Sequence, residues 1–282
     1  MIILSIYVCC FALKQENHIY TKPKKETEIF TIWHIETFEG GGKARIDYLK
    51  AVAKHLEKQN PNTLFFVKNV SPEDLENELL INTPDILSFG FGVGKIILPY
   101  LTKLCNTFNV RDSLIESGMF NNYLYALPYI VSGYAEIKHN AQSSEIHFGT
   151  SDYINPEHLG YKAIKQETAY EAYKDFVYNH KSTLIGTGRD VYRINNLNNV
   201  GRTNALITPI STYTDLIQYI GLVTNNTITN NFLSLTLSQN FQTTLTTYSL
   251  FSSLNNKLYF SGIYNDMENA LFNCTIAKVF DE

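Results

Sequence analysis

A chain of 282 residues, 44% hydrophobic and 18% charged, is long enough for one large core or two modest ones and has the composition of a globular protein. Its net charge of -4, without an extended Lys/Arg run, excludes a nucleic-acid partner, because neutralising phosphates requires a clustered basic surface. Aromatic residues make up 13% of the chain, mostly Tyr and Phe, which favours ligand-binding surfaces over disorder.

The first 13 residues form an apolar segment that has the length of a secretory signal and is too short to span a bilayer. It lacks the positively charged start of a usual signal and contains Cys9 and Cys10, which are candidates for lipidation. Residues 14–28 are charged and include Pro23, so we interpret them as a tether. We therefore expect an extracellular or cell-envelope protein that is membrane-tethered or periplasmic. A buried first element followed by a polar linker is the alternative.

The stretch from residue 29 to residue 89 alternates between strand-like and helix-like patterns. Clusters of β-branched and aromatic residues predict three strands, at 29–35, 64–70 and 85–89. Apolar residues at helical spacing predict a helix at 43–59, and a second helix is predicted to begin after Ser71 with Pro72 in its first turn. This βαβαβ order predicts a parallel sheet covered by helices, with a ligand crevice beyond the carboxyl ends of the strands.

Later parts of the chain predict a second, smaller α/β unit. An extended apolar run covers residues 124–138 and is interrupted by Pro128 and Gly133. A short strand at 182–185 leads through a Gly-Thr-Gly turn into a helix that begins at Arg189. Residues 215–223 are again extended and apolar, and no internal repeat is visible.

Four short segments occur in an order that is typical of one protein family. They are Ile32-Trp33-His34 with Glu39-Gly40-Gly41, Pro84 to Gly90, Leu124 to Tyr129, and Ile185 to Asp190. Together they resemble the extracellular solute-binding proteins of bacterial ABC importers, in the group of the maltose- and glycerol-phosphate-binding proteins. The resemblance implies an α/β, two-lobed periplasmic-binding-protein-like fold of type II, with parallel-sheet lobes joined by crossing hinge strands.

The same resemblance implies a division of the chain. Lobe 1 would comprise residues 29–125 together with 224–282, and lobe 2 would comprise residues 138–214. The hinge crossings would be residues 126–137 and 215–223. Lobe 2 is shorter than in the family, since residues 139–148 stand where its members carry a longer segment with a helix.

The implied function is to capture a sugar, an oligosaccharide or a sugar derivative between the two lobes and to deliver it to ABC permease subunits in the membrane. Such a protein is a monomer, is not an enzyme and needs no cofactor. Two alternatives stay open. The chain could be a surface binding or scaffold protein, or a degenerate copy of a binding protein; a carbohydrate-active enzyme is the other possibility.

Sugar recognition requires flat aromatic faces together with polar groups that converge on hydroxyls. The candidate ligand-binding residues are Trp33, Glu36, Glu39, Gly40, Ser88, Gly90, Tyr125, Tyr129, Gly186, Thr187, Gly188, Arg189 and Asp190. The turn before Arg189 offers backbone N–H groups at a helix start, which can hold a hydroxyl or an anionic oxygen. For Trp33 the alternative is a core residue, and for Arg189 and Asp190 it is a capped helix with an exposed ion pair.

Motifs for catalysis and metal binding are missing from the sequence. Glu36 and Glu39 form a conceivable carboxylate pair for glycoside hydrolysis, but nothing else supports that chemistry. His34 and Glu36 have no HExxH or comparable ligand set, so we expect no metal site. Neither a GxSxG elbow nor a CxxC pair occurs, and Cys105 and Cys274 are expected to be either two free thiols or one pair without a catalytic role.

Overall fold

The computed structural model describes residues 26–37, 44–105, 108–138, 147–148 and 183–281. The strands are β1 Glu28–Ile35, β2 Thr63–Val70, β3 Ile86–Phe89, β4 Met119–Phe120, β5 Tyr123–Leu124, β6 Leu127–Val131, β7 Tyr134–Lys138, β8 His147–Phe148, β9 Thr183–Thr187, β10 Leu206–Pro209, β11 Tyr213–Thr214, β12 Ile217–Leu222, β13 Phe251–Ser252 and β14 Thr275–Ile276. The helices are α1 Ala44–Gln59, α2 Leu75–Ile81, α3 Gly94–Ile97, α4 Asp112–Ser117, α5 Gly188–Asn199, α6 Thr227–Thr236, α7 Gln239–Thr243 and α8 Gly262–Asn273. Short 3-10 helices cover Leu98–Tyr100 and Thr244–Tyr248.

A six-stranded sheet in the order β13-β6-β12-β3-β1-β2 forms the centre of the larger half of the molecule. Within it β1 pairs in parallel with both β2 and β3, which confirms the predicted βαβαβ unit. The remaining strands are antiparallel to their neighbours, so the sheet is mixed. Helix α1 covers the sheet with one apolar stripe, in which Leu49, Val52 and Leu56 are almost completely buried.

A second sheet has four described strands in the order β10-β7-β9-β8. Strand β7 is antiparallel to β9 and β10, whereas β8 and β9 are parallel. Both sheets therefore contain the expected parallel pairing, β2-β1-β3 in the first and β8-β9 in the second, with antiparallel strands added.

Within its described residues, the chain passes twice between the two sheets. Strand β6 lies in the first sheet and β7 in the second, so the first crossing falls at Ser132 and Gly133 within the predicted run 126–137. The return leads from β10 through residues 210–216 to β12, which belongs to the first sheet and accounts for the apolar character of 215–223. A Cβ at Gly133 would lie 2.7 Å from Leu271 Cδ2, so a larger residue at the first crossing would have to displace this side chain of α8.

Buried hydrogen bonds tie the two crossings to each other. Ser132 N–H donates to Leu216 O at 2.7 Å, and Thr214 Oγ1 donates to Ser132 O at 2.7 Å. Tyr134 OH donates to Asp215 Oδ1 at 2.8 Å, and the Asp215 side chain is 1% exposed. Burial raises the pKa of Asp215 to about 7. The crossings thus form a single hydrogen-bonded unit with an ionisable group inside it.

Two predicted helix starts differ from the structure. Helix α2 begins at Leu75, because Ser71 to Asp74 form a turn in which Asp74 N–H donates to Ser71 Oγ at 3.1 Å. Strand β9 continues to Thr187, and α5 begins at Gly188. The predicted signal segment, residues 1–13, and most of the predicted tether and second lobe lie outside the described residues.

We predict that Asp215→Asn removes a pH dependence of stability. The native carboxyl binds its proton up to about pH 7, whereas in the unfolded chain it loses that proton near pH 4, so the free energy of unfolding falls as the pH rises between these values. The loss amounts to roughly 4 kcal/mol at most. Urea unfolding at pH 5 and pH 8 is expected to show this decrease in the native protein and a smaller one in the variant. The exposed Asp266 provides the control Asp266→Asn, and equal pH profiles for Asp215→Asn and the native chain would contradict the prediction.

Candidate functional site

A cleft of about 120 Å³ lies between the two sheets. Its described lining residues are Ala44, Arg45, Arg189, Tyr192, Tyr248, Ser249 and Leu250. The first two begin α1, which follows the carboxyl end of β1, and Arg189 lies in the first turn of α5, which follows the carboxyl end of β9. The cleft is therefore at the strand ends where the sequence predicts a ligand crevice.

Helix α5 contributes Arg189 and Tyr192 to the cleft. These residues are three positions apart and share a helical face, whereas Asp190 and Val191 are buried. Asp190 Oδ2 accepts from Thr187 N–H at 3.2 Å, and Asp190 Oδ1 lies 3.8 Å from Arg193 Nη1. Asp190 and Thr187 therefore cap the helix, which is the alternative that the sequence left open for this turn.

The predicted glycine of this turn has a packing role. A Cβ at Gly186 would lie 2.8 Å from Asp190 Cβ and 3.0 Å from Ile137 Cδ1, so no larger residue fits between β9, β7 and the start of α5 without displacement. Gly188, the first residue of α5, is also buried. This close approach fixes the position of Arg189 at the cleft.

Tyrosines form much of the cleft surface. Tyr192 is 45% exposed, and Tyr248 is half-buried at the end of the 3-10 helix. Ser249 follows with a positive φ of 57°, which turns the chain so that Leu250 enters the core. Near this turn Tyr264 stacks on Tyr259 with ring centroids 5.3 Å apart. Burial, and to a smaller extent Tyr192, raises the pKa of Tyr264. The aromatic surface is suited to the apolar face of a sugar ring.

Arg45 links the cleft to the interior of the first sheet. Its side chain is 4% exposed and lies 4.0 Å from Glu36 Oε1, which is one of the predicted site residues. Burial and, second, the charge of Arg45 hold the pKa of His34 well below its usual value, so the imidazole is neutral. Glu36 thus reaches the cleft through its ion pair with Arg45.

Ser88 and Tyr129, both predicted ligand contacts, belong to a buried polar row across the first sheet. Ser88 Oγ lies 2.9 Å from His34 Nδ1, 2.9 Å from Tyr129 OH and 3.0 Å from Gln218 Nε2. All four side chains have 0% exposure. Tyr129 also stacks on Tyr48, with ring centroids 5.8 Å apart. The row therefore joins β6, β12, β3 and β1 inside the protein and leaves neither Ser88 nor Tyr129 at the cleft surface.

The other predicted aromatic contacts pack against protein. Trp33 is 5% exposed, lies in the hydrophobic core and has Lys68 Nζ 5.0 Å from its ring centroid. Tyr125 is half-buried and meets Phe280 edge-on at 6.3 Å. Gly90 is buried after β3. Among the described residues of the cleft wall, Arg189 is the one that the sequence identified. Glu39, Gly40, Cys9 and Cys10 lie outside the described residues.

Two cysteines lie outside the described cleft wall. Cys105 is an exposed free thiol and Cys274 a buried one, so the two are not paired. Burial raises the pKa of Cys274 to about 11, which keeps the thiol protonated and unreactive. Within the described ranges no group of three His, Cys, Asp or Glu residues could hold a metal ion. Nor is any helix in the part of the chain that the structure describes both long and apolar enough to cross a membrane.

Several solved structures are similar in architecture to this chain. The GacH receptor of Streptomyces glaucescens, solved unliganded and with acarbose, is 10% identical, with a TM-score of 0.62 over 89% of this chain and 88% of that one. RafE from Streptococcus pneumoniae is 12% identical, with a TM-score of 0.65 over 90% and 89%. A cyclo/maltodextrin-binding protein in complex with maltotetraose is 11% identical, with a TM-score of 0.60 over 92% and 88%.

These likenesses confirm the predicted fold. The chain has the two-lobed α/β architecture of periplasmic binding proteins, and the similarity extends over almost all of each molecule. The proteins that it resembles in structure are binding proteins rather than enzymes. No family model matches the sequence, and no curated protein is similar to it at the level of sequence.

We predict that Ser88→Ala lowers the free energy of unfolding by about 1–3 kcal/mol, because Tyr129 OH and Gln218 Nε2 lose a buried partner. Ser234 in α6 is exposed, so Ser234→Ala is expected to have a much smaller effect. Urea unfolding of both variants measures the difference. Equal stabilities would show that the polar row does not contribute to folding.

Proposed function

We propose that the protein binds a saccharide in the cleft between its two lobes and acts as the solute-binding component of an ABC-type importer. The observation that carries this proposal is the composition of the cleft wall. Arg45 and Tyr248 come from the half of the molecule built on the first sheet, and Arg189 and Tyr192 come from the helix that follows β9 in the second. A ligand in the cleft can therefore contact both halves at once.

The chemistry of the wall supports a sugar as the ligand. Tyr192 and Tyr248 supply aromatic surface for the C–H face of a ring, and the arginines and Ser249 supply donors for hydroxyl oxygens. Two of the structural neighbours were solved with acarbose and with maltotetraose, and both ligands are oligosaccharides. No covalent step is needed, since the protein binds the solute and releases it unchanged.

Capture depends on movement at the crossings. A ligand that touches both halves binds the closed arrangement better than the open one, and this difference in affinity shifts the population toward closure. The connections at residues 132–133 and 210–216 are short and hydrogen-bonded to each other. They support a rotation of two rigid halves rather than a rearrangement inside either one.

We also propose the lobe boundaries and the cell-envelope location that the sequence suggests. Lobe 1 would contain residues 29–125 and 224–282, and lobe 2 residues 138–214, with crossings within 126–137 and 215–223. The loaded protein would present both lobes to ABC permease subunits. The apolar first segment would direct export, and the charged residues 14–28 would act as a tether. Lipidation of Cys9 or Cys10 would anchor the exported protein to the membrane. It would work as a monomer and without a cofactor.

A thermal-shift panel of mono-, di- and oligosaccharides and sugar phosphates tests the binding function. A ligand that binds the native state raises the apparent melting temperature by mass action, and chromatography of the mixture is expected to return it unchanged. A folded protein whose melting temperature does not respond to any of these compounds would contradict the proposal. Turnover of a bound saccharide would instead favour an enzyme.

We predict that Tyr192→Ala weakens binding of the saccharide found in that panel by about tenfold, since about 1.4 kcal/mol of ring contact is lost. Tyr123 is also exposed, at 52%, but lies in β5 and away from the described cleft wall. Tyr123→Ala is therefore the control, and its affinity is expected to equal that of the native protein. Titration calorimetry measures both. Native-like affinity of Tyr192→Ala would remove this ring from the site.

A further inference from the structure

Five large apolar side chains are exposed at one end of the first sheet. They are Ile29 in β1, Leu64 and Phe66 in β2, and Leu80 and Ile81 in α2, and each is at least 50% exposed. Ile29 is paired with Leu64 in the register of β1 and β2, so these two are direct neighbours. We call these five residues the apolar patch. Monomeric proteins rarely expose such a group of side chains unless the surface has a partner.

The patch and the cleft lie at opposite ends of β1. Leu64, Phe66 and Lys68 alternate along β2 and therefore point to the same face of the sheet. Lys68 Nζ lies 2.6 Å from Glu78 Oε2, which places α2 over this face. Since β1 and β3 are parallel, α2 runs back toward the amino ends of the strands, and its last two residues belong to the patch. The cleft instead begins with α1, beyond the carboxyl end of β1.

The outer edge of β2 is closed to an added strand over its first half. Strand β2 is the outermost strand of the sheet. Phe65 N–H donates to Glu57 Oε1 at 2.7 Å, and Thr63 N–H donates to Asn60 O at 2.9 Å. A strand from another chain would have to displace both acceptors before it could pair here. The patch therefore offers a partner side chains rather than free backbone groups, which suits a lipid surface better than an added strand.

The predicted tether joins the fold at the patch. Ile29 follows directly on residues 14–28, which would span at most about 50 Å even if fully extended. An anchor at the start of this tether would keep the patch close to the membrane, so a weak apolar contact is sufficient for docking. Glu28 is exposed, and Lys68 is paired with Glu78, so these neighbours add no net positive charge. The surface thus fits zwitterionic rather than anionic lipid.

We propose that the apolar patch docks on a lipid bilayer and holds the tethered protein with its cleft turned away from the membrane. This inference rests on the proposed cell-envelope location and adds an orientation to it. Docking would leave the cleft open to solutes. A contact of a few side chains at a bilayer surface is reversible, so the loaded protein could leave it and turn toward the permease.

Quenching by lipid identifies the face that meets the bilayer. In a full chain without its native cysteines, a fluorescent label is placed at Thr83→Cys, two residues after the patch, or at Arg202→Cys in the other half. Both positions are exposed. The chain is added to phosphatidylcholine vesicles with and without spin-labelled lipid. We expect quenching at residue 83 to be at least about threefold stronger than at residue 202, because only the patch side enters the interface.

Variants of the patch separate docking from tethering. Leu80→Ser combined with Ile81→Ser leaves residues 1–28 unchanged and is expected to lower the quenching at residue 83 to the level at residue 202. Phe260 is 83% exposed and outside the patch, so Phe260→Ser is the matched control and is expected to keep native quenching. Phe66→Ser is a second patch variant that keeps the test valid if the double variant does not fold.

The outcomes separate docking from saccharide capture. Equal quenching at both positions, no quenching at either, or quenching that the patch variants do not reduce would overturn the docking proposal. Dimerisation that depends on the patch, measured by sedimentation without lipid, would assign the patch to a second copy and would also overturn it. None of these results affects saccharide capture, which the thermal-shift panel measures without membranes. Recovery of the chain from the cytoplasm of fractionated cells would contradict both the cell-envelope location and membrane docking.

Discussion

The hydrogen bonds at the crossing between the two sheets are the constraint on which the architecture depends. Ser132 donates its N–H to Leu216 O and accepts from Thr214 Oγ1, each at 2.7 Å. Tyr134 reaches Asp215 across the same point. Because these bonds are buried, breaking one would leave unsatisfied polar groups, so the two crossings are held together. The crossings thus hold together the two halves of the molecule whose residues form the cleft.

The buried polar row through the first sheet also makes the Arg45 side of the cleft rigid. Four fully buried side chains from neighbouring strands converge on Ser88, and Tyr129 stacks on Tyr48 of α1. This helix begins at the cleft and carries Arg45, whose charge helps to keep His34 neutral. The sheet interior and the cleft are therefore coupled electrostatically, and a fixed sheet gives the arginine a fixed position.

Local patterns predict the βαβαβ unit and the strand-to-helix turn at Arg189, because apolar spacing and turn residues report on neighbours in the chain. They do not predict which distant segments meet. Tyr192 and Tyr248 line one cleft although they are far apart in sequence, and the sequence analysis identified neither. The helical spacing from Arg189 is the signal that could have identified Tyr192. Ser88 and Tyr129 were predicted to contact the ligand but lie in the buried polar row. Sequence alone does not separate the two cases, since polar and aromatic residues suit a buried network as well as a ligand surface.

The distance between the two lobes shows directly whether a saccharide closes the cleft, as we propose. Lys54 on α1 and Arg202 beyond α5 are exposed and belong to different halves. Spin labels on K54C and R202C, in a chain without its native cysteines, report this distance by pulsed electron resonance. We predict that a saccharide shown by calorimetry to bind will shorten and narrow the distance distribution. An unchanged distribution at saturation would mean that the ligand binds without bringing the lobes together.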